Sequence, residues 1–142
     1  MKTLFLAVTE QLQQLDIFRH IDMDKGQLDT RGLRPPVAFP CALVKTSLTF
    51  EEYGGGVKDR KGQVRIRIAF DQPANRTSTD VAEHTRDLSL SYIDKAEQVF
   101  EAFRRFETDT YSAFEVREFG QEDRSDGLVV MRMTFLTNRL DV

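Results

Sequence analysis

In the run QVRIRIAF, Val64, Ile66, Ile68 and Phe70 alternate with Arg65, Arg67 and Ala69. This is the period-two pattern of a strand that buries one face, and it sets the two arginines together on the other. Upstream, Leu4, Val8, Leu12 and Leu15 recur at helical spacing with Phe5 beside them. They predict an N-terminal helix, capped by Thr3 and fading around Phe18 to His20. The segment IDMDKGQLDTRGLRPP holds glycines and prolines that predict a turn and an extended lead-in. Val37, Phe39, Val44, Leu48 and Phe50 then predict one long strand, or a strand broken near Pro40. Pro40 has no N–H for a ladder and belongs at a strand edge, start or bulge. GGGVKDRKG predicts a loose hairpin tip, with QVRIRIAF as the return strand.

Beyond Asp71, QPANRTSTDVAEHT is polar and predicts a surface connection. A second helix follows, with Asp87 as its expected cap. Tyr92, Ile93, Ala96, Val99, Phe100, Phe103 and Phe106 form its broad apolar stripe. AFEVREF and LVVMRMTFLT predict two more strands, joined by the turn GQEDRSDG. The expected fold class is therefore α+β, an antiparallel sheet of about four to five strands covered by two helices. The expected order is α-β-β-(β)-α-β-β, in a single domain over residues 1–142 with a mobile hairpin tip at about 53–62.

Composition narrows the function classes. The chain has 142 residues, 40% hydrophobic and 30% charged, which suits one globular domain with a sizeable core. Its formal net charge is −3, which argues against bulk nucleic-acid binding and leaves room only for a local basic patch. Cys41 is the single cysteine, so neither an intramolecular disulfide nor a thiolate cluster forms, in keeping with a reducing cytoplasm. The apolar run Leu4-Phe5-Leu6-Ala7-Val8 is too short for a signal core or a membrane span. Asn75-Arg76-Thr77 matches a glycosylation sequon, which in a chain without a signal peptide is a chance match.

Catalytic signals are thin. His20 and His84 fall in segments expected to be helix ends or loops, and Cys41 in a strand-like run where a small buried hydrophobe is common. Cys41 with His20 or His84 is the one combination open to nucleophilic chemistry. Asp22-Met23-Asp24-Lys25-Gly26 resembles a calcium loop only at its start. Counted from Asp22, the fifth, sixth and twelfth positions are Gly26, Gln27 and Leu33, where an EF-hand needs an oxygen ligand, Gly and Glu. Gly54, Gly55 and Gly56 lack a phosphate-loop context. Glu115, Glu118, Glu122, Asp123 and Asp126 read as a solvated hairpin rather than an acid–base pair. No catalytic residue, cofactor or metal ligand is expected. Lys45, Arg65, Arg67 and Arg132 form a candidate basic face, its ordinary partners being Glu115 or Glu118.

Four runs together carry a family resemblance: IDMDKGQLDTRGLRPPVAFPCALV, GQVRIRIAFD, DLSLSYIDKAEQVFEAFRRFE and LVVMRMTFLTNRLD. In element order over nearly the whole chain, the sequence resembles the small tail-terminator or tail-completion proteins of long-tailed bacteriophages and prophages. The resemblance implies an α+β fold, no active site and no cofactor. It implies a ring, typically hexameric, that caps the tail tube, meets the head connector and lets DNA pass, in the virion tail after assembly in the host cytoplasm. Under it, Gly54, Gly55, Gly56, Lys58, Arg60 and Lys61 are candidate assembly contacts, and Lys45, Arg65, Arg67 and Arg132 candidate lumen residues facing DNA. The competing reading is a small bacterial cytoplasmic enzyme or ligand-binding domain.

Overall fold

The structure, a computed structural model, describes residues 1–30, 35–53, 57–71 and 77–140, with backbone alone at 51–53 and 57–59. Helix α1 (Lys2–Gln14) leads into strand β1 (His20–Met23) and a short 3-10 turn (Gln27–Asp29). Strands β2 (Cys41–Tyr53) and β3 (Val57–Phe70) form a long hairpin. Helices α2 (Glu83–Ser89) and α3 (Ser91–Phe103) precede β4 (Glu115–Gln121) and β5 (Val129–Asn138). The five strands make one sheet in the order β1-β2-β3-β5-β4. The α+β class is as expected. The sheet is mixed, however, because β1 runs parallel to β2, with His20 registered to Cys41 and Met23 to Val44.

One face of the sheet is the apolar face read from the sequence. Val64, Ile66, Ile68 and Phe70 pack there with Ala42, Val44, Met131, Met133 and Phe135, under Leu4, Val8 and Leu12 of α1 and Tyr92, Ala96, Val99 and Phe103 of α3. Aromatic rings fill the end of this layer. Phe103 lies 5.5 Å from Phe106, 6.4 Å from Phe114 and 6.0 Å from Phe135 between centroids. The buried Tyr92 hydroxyl donates to Gln121 Oε1 at 2.8 Å, so its one polar atom is satisfied.

Several local expectations are corrected. Helix α1 starts at Lys2, so Thr3 lies inside it, and it ends at Gln14 rather than near Phe18. Asp16, at φ 53°, turns the chain out of the helix, a left-handed conformation that Asp tolerates. Asp87 is an interior residue of α2 and not a cap, because the expected single helix breaks at Leu90. Pro40 stands just before β2, where its missing donor costs no ladder bond. The hairpin tip is narrower than 53–62: Tyr53 pairs with Val57, and the ladder continues through Glu52↔Lys58 to Leu48↔Gly62. Gly62 is buried, and a Cβ there would meet Thr137 Cγ2 at 3.0 Å. Gly54, Gly55 and Gly56, and Asn75 and Arg76 of the sequon, lie outside the described residues.

Phe103 is fully buried whereas Phe100 is half-buried. Phe103→Ala is therefore expected to destabilise by about 3–5 kcal/mol, and Phe100→Ala by less. Urea melts of the two variants check the order, and a wild-type midpoint for Phe103→Ala would contradict the packing.

Candidate functional site

The second face of the sheet is also covered. Cys41, Leu43, Ala69 and Val130 project there and bury a small apolar cluster under Leu28, with Val37, Phe39 and Leu128 around it. Beside this cluster the same strand alternation aims Arg65 and Arg67 outward from β3. Arg67 is only 6% exposed. A guanidinium withdrawn from water needs charge and hydrogen bonds in return, and two loop segments supply them.

Arg67 grips Glu122 with Nε at 3.0 Å and Nη2 at 2.7 Å. Its Nη1 and Nη2 also reach Asp29 at 3.1 and 3.2 Å, a second bidentate pair. Asp24 lies 3.5 Å from Arg67 Nη1 and 3.1 Å from Arg65 Nη2, its side chain 4% exposed. Arg124 extends the network: Nη1 to Asp29 at 3.2 Å and Nη2 to Asp126 at 2.6 Å, with a further bond from Nη2 to the Leu28 carbonyl. Three arginines and four carboxylates thus bind the 24–29 segment and the β4–β5 turn to β3.

Local sequence explains why the acids arrive. Gly26 adopts φ +83°, and its N–H bonds to Asp24 Oδ1 at 3.0 Å, so the chain reverses and lays Asp29 across the sheet. This is the turn expected at Asp22 to Gly26, though a strand precedes it. In the β4–β5 turn, Asp126 accepts from Leu128 N–H at 3.2 Å and from Arg124, which folds the loop back toward Arg67. Titration follows the contacts. The Arg67 bonds hold the Asp29 carboxyl below its usual value against the opposing effect of burial. The Arg124 bonds do the same for Asp126. For Arg67, burial opposes the charge, but Glu122 and then Asp29 outweigh it and raise its pKa.

The predicted basic face is brought together only in part. Lys45 registers with Arg65, and Arg67 with Arg132, across adjacent strands. Like charges directly opposite repel, and the arginines instead turn to acids, Arg65 and Arg67 sharing Asp24. Arg132 Nε donates to Glu118 at 2.7 Å, one of the two partners expected for this face. Arg65 and Arg67 turn to Asp24, Asp29 and Glu122 rather than to Glu115 or Glu118, and Glu122 is not solvated, with its side chain 11% exposed. Arg67 accordingly offers no guanidinium to solvent. Lys45 remains exposed. Lys61 pairs with Thr49 and Arg60 with Phe50 in the hairpin ladder, the Arg60 guanidinium standing 5.8 Å over the Phe50 ring.

Of the nucleophile combination, His20 registers beside Cys41, but the thiol is not activated. Cys41 is fully buried, and burial pushes its thiol up to about 11, away from the thiolate that attacks. His20 sits on the neighbouring strand with Nε2 3.8 Å from Asp22, and His84 is exposed on α2. Among the described residues no three His, Cys, Asp or Glu side chains are grouped to hold a metal ion. No helix among the described residues is long and apolar enough to cross a membrane. An open groove of about 480 Å³ runs past Arg19, Phe39, Asp71 and Lys95.

Fold and network together define a small α+β domain with helices on one face of a mixed sheet and a salt-bridged cover on the other. No protein-family model matches the chain, and no curated protein does. Its fold is similar to that of a chain in the solved structure "Virion of native gene transfer agent (GTA) particle". The TM-score is 0.58 at 11% identity, over 96% of this chain and 93% of that one.

Removing one partner from a buried ion pair strands the other charges. Arg67→Met is therefore expected to cost about 3–5 kcal/mol by urea melts, while Arg132→Met, whose partners are exposed, costs about 0–1 kcal/mol. Equal effects would contradict the burial of Arg67. The pH dependence has a definite sign. Asp29 and Asp126 have folded pKa values below 3.8, so their contribution is complete above that value and is lost as pH falls through the folded ones. The wild-type Tm is expected to hold down to about pH 5 and drop below about pH 4. In the Asp29→Asn, Asp126→Asn double variant the acid drop is shallower, and an identical drop would contradict these contacts.

Proposed function

We propose that the chain is a structural component of a phage or prophage-derived particle, acting as a tail-completion protein. In this role it forms a ring, hexameric by resemblance, that caps the tail tube and joins it to the head connector. The observation that carries the proposal is the fold shared with a chain of a gene transfer agent virion over 96% of this chain. The runs that resemble tail-terminator proteins support the same role. A buried cysteine thiol and a charge network neutralised by its own arginines favour a scaffold over a catalyst.

The hairpin tip, with Gly54, Gly55, Gly56, Lys58, Arg60 and Lys61, is the proposed assembly contact, because β2 and β3 run past the last β5 pairing at Lys61↔Asn138. If the second sheet face lines the channel, Lys45, Arg65 and Arg132 are the residues that meet passing phosphates. Arg67 is not among them.

Particles purified from a strain carrying the gene are expected to contain the chain at the head–tail junction, seen by immunogold labelling. Deleting the gene is expected to leave heads and tails unjoined. Joined, functional particles formed without it would overturn the proposal.

A further inference from the structure

Arg65, Arg67, Arg124 and Arg132 each hold a carboxylate. Where β3 ends at Phe70, two other cations do not. Arg19 comes from the segment before β1 and Lys95 from α3, and both are exposed. Among the described residues neither forms an ion pair or a side-chain hydrogen bond. Both line the open groove that passes Asp71, and Phe39 and Pro40 line it half-buried with the exposed Ala38 beside them. The Arg19 N–H donates to the Pro40 carbonyl at 2.9 Å, which ties this residue to the groove by its main chain and leaves its guanidinium unused.

The main chain of the groove has unused donors as well. The Val37 N–H is taken by the Pro35 carbonyl at 2.8 Å. Among the described residues the next two N–H groups, of Ala38 and Phe39, bond to no acceptor. Backbone N–H groups in folded proteins nearly always find a partner, whether in the chain, in water or in a ligand.

We propose that this groove binds an acidic peptide segment of a partner protein, laid along residues 38–40. Its carboxylates meet Arg19 and Lys95, its main chain accepts from the Ala38 and Phe39 N–H groups, and an apolar side chain rests on Phe39 and Pro40. Charge and shape select this occupant. Two unmatched cations call for an anion. A lone phosphate would leave the apolar residues of the groove bare. A nucleic-acid strand carries a charge at every residue, which the Asp71 carboxylate and the net charge of −3 oppose. An acidic peptide can set an apolar side chain between its charges. An open groove also suits a chain segment better than an enclosed small molecule. This inference does not rest on the virion role, since a partner of any kind can carry such a segment.

The Ala38 and Phe39 amide signals in nitrogen-15 NMR spectra of the purified chain test it. The probe is a short end-blocked peptide of alternating aspartate and leucine. Millimolar probe is expected to shift both signals, and the matching asparagine–leucine peptide is expected to leave them in place. Arg19 and Lys95 are exposed, so the Arg19→Gln, Lys95→Gln double variant is expected to keep a folded spectrum and to bind the probe at least about 10-fold more weakly. Should the double variant unfold, Lys95→Glu alone decides, with weakening expected in the same direction. No shift with the aspartate peptide, equal shifts with the asparagine peptide, or unchanged affinity in the variants would overturn the proposal. So would tighter binding at these amides by inorganic phosphate, which would mark an adventitious ion only, or by an oligothymidylate, which would mark a nucleic-acid site.

Discussion

A charged guanidinium in the central strand of a sheet is the constraint around which the second layer of this protein is arranged. Arg67 projects from β3 opposite the helices, beside Cys41, Leu43, Ala69 and Val130. Left bare, that apolar patch would lie open to water. Covered by loops alone, it would bury Arg67 without compensation. The chain meets both demands with the same segments. The 24–29 turn brings Leu28 over the apolar cluster and Asp24 and Asp29 to the arginine, while the β4–β5 turn brings Leu128 and Glu122.

Such a network is weak evidence for net stability, because a well-packed apolar replacement of all its members often performs as well. Its effect here is on specificity. Two irregular segments, some 95 residues apart in sequence, are joined where Arg124 bonds to Asp29. Planar guanidinium forks accept only a narrow set of carboxylate positions. The loops are therefore fixed relative to the strand without a large apolar interface of their own. The result is a sheet held on both faces.

The sequence announced the helix-bearing face clearly and the other face poorly, for identifiable reasons. Val64, Ile66, Ile68 and Phe70 carry a strict alternation, and the stripe from Tyr92 to Phe103 carries helical spacing, so both were legible from local pattern. β1 was not, because HIDM is four residues long with an acid in the middle, and its parallel pairing to β2 depends on tertiary contact alone. The break at Leu90 was hidden because an apolar residue there continues the stripe. Arg65 and Arg67 were assigned to the right face, but their partners were sought on neighbouring strands. Asp24, Asp29, Glu122 and Arg124 sit in turn-like runs that ordinarily face solvent, and only the reversal at Gly26 and the fold-back at Asp126 bring them inward. The one available signal was an excess of acids in both turns flanking a strand with two arginines.

The most direct test of this account is the exchange of the arginine side-chain Nε–H protons, followed by nitrogen-15 NMR near neutral pH. Arg67 bonds through its Nε to Glu122 within a covered site, whereas the Nε–H of Arg132 faces an exposed Glu118. The account predicts a resolved Arg67 Nε–H signal that exchanges with water far more slowly than that of Arg132. An Arg67 signal as fast-exchanging as Arg132 would show that the second face is open and would contradict the central role given to the network.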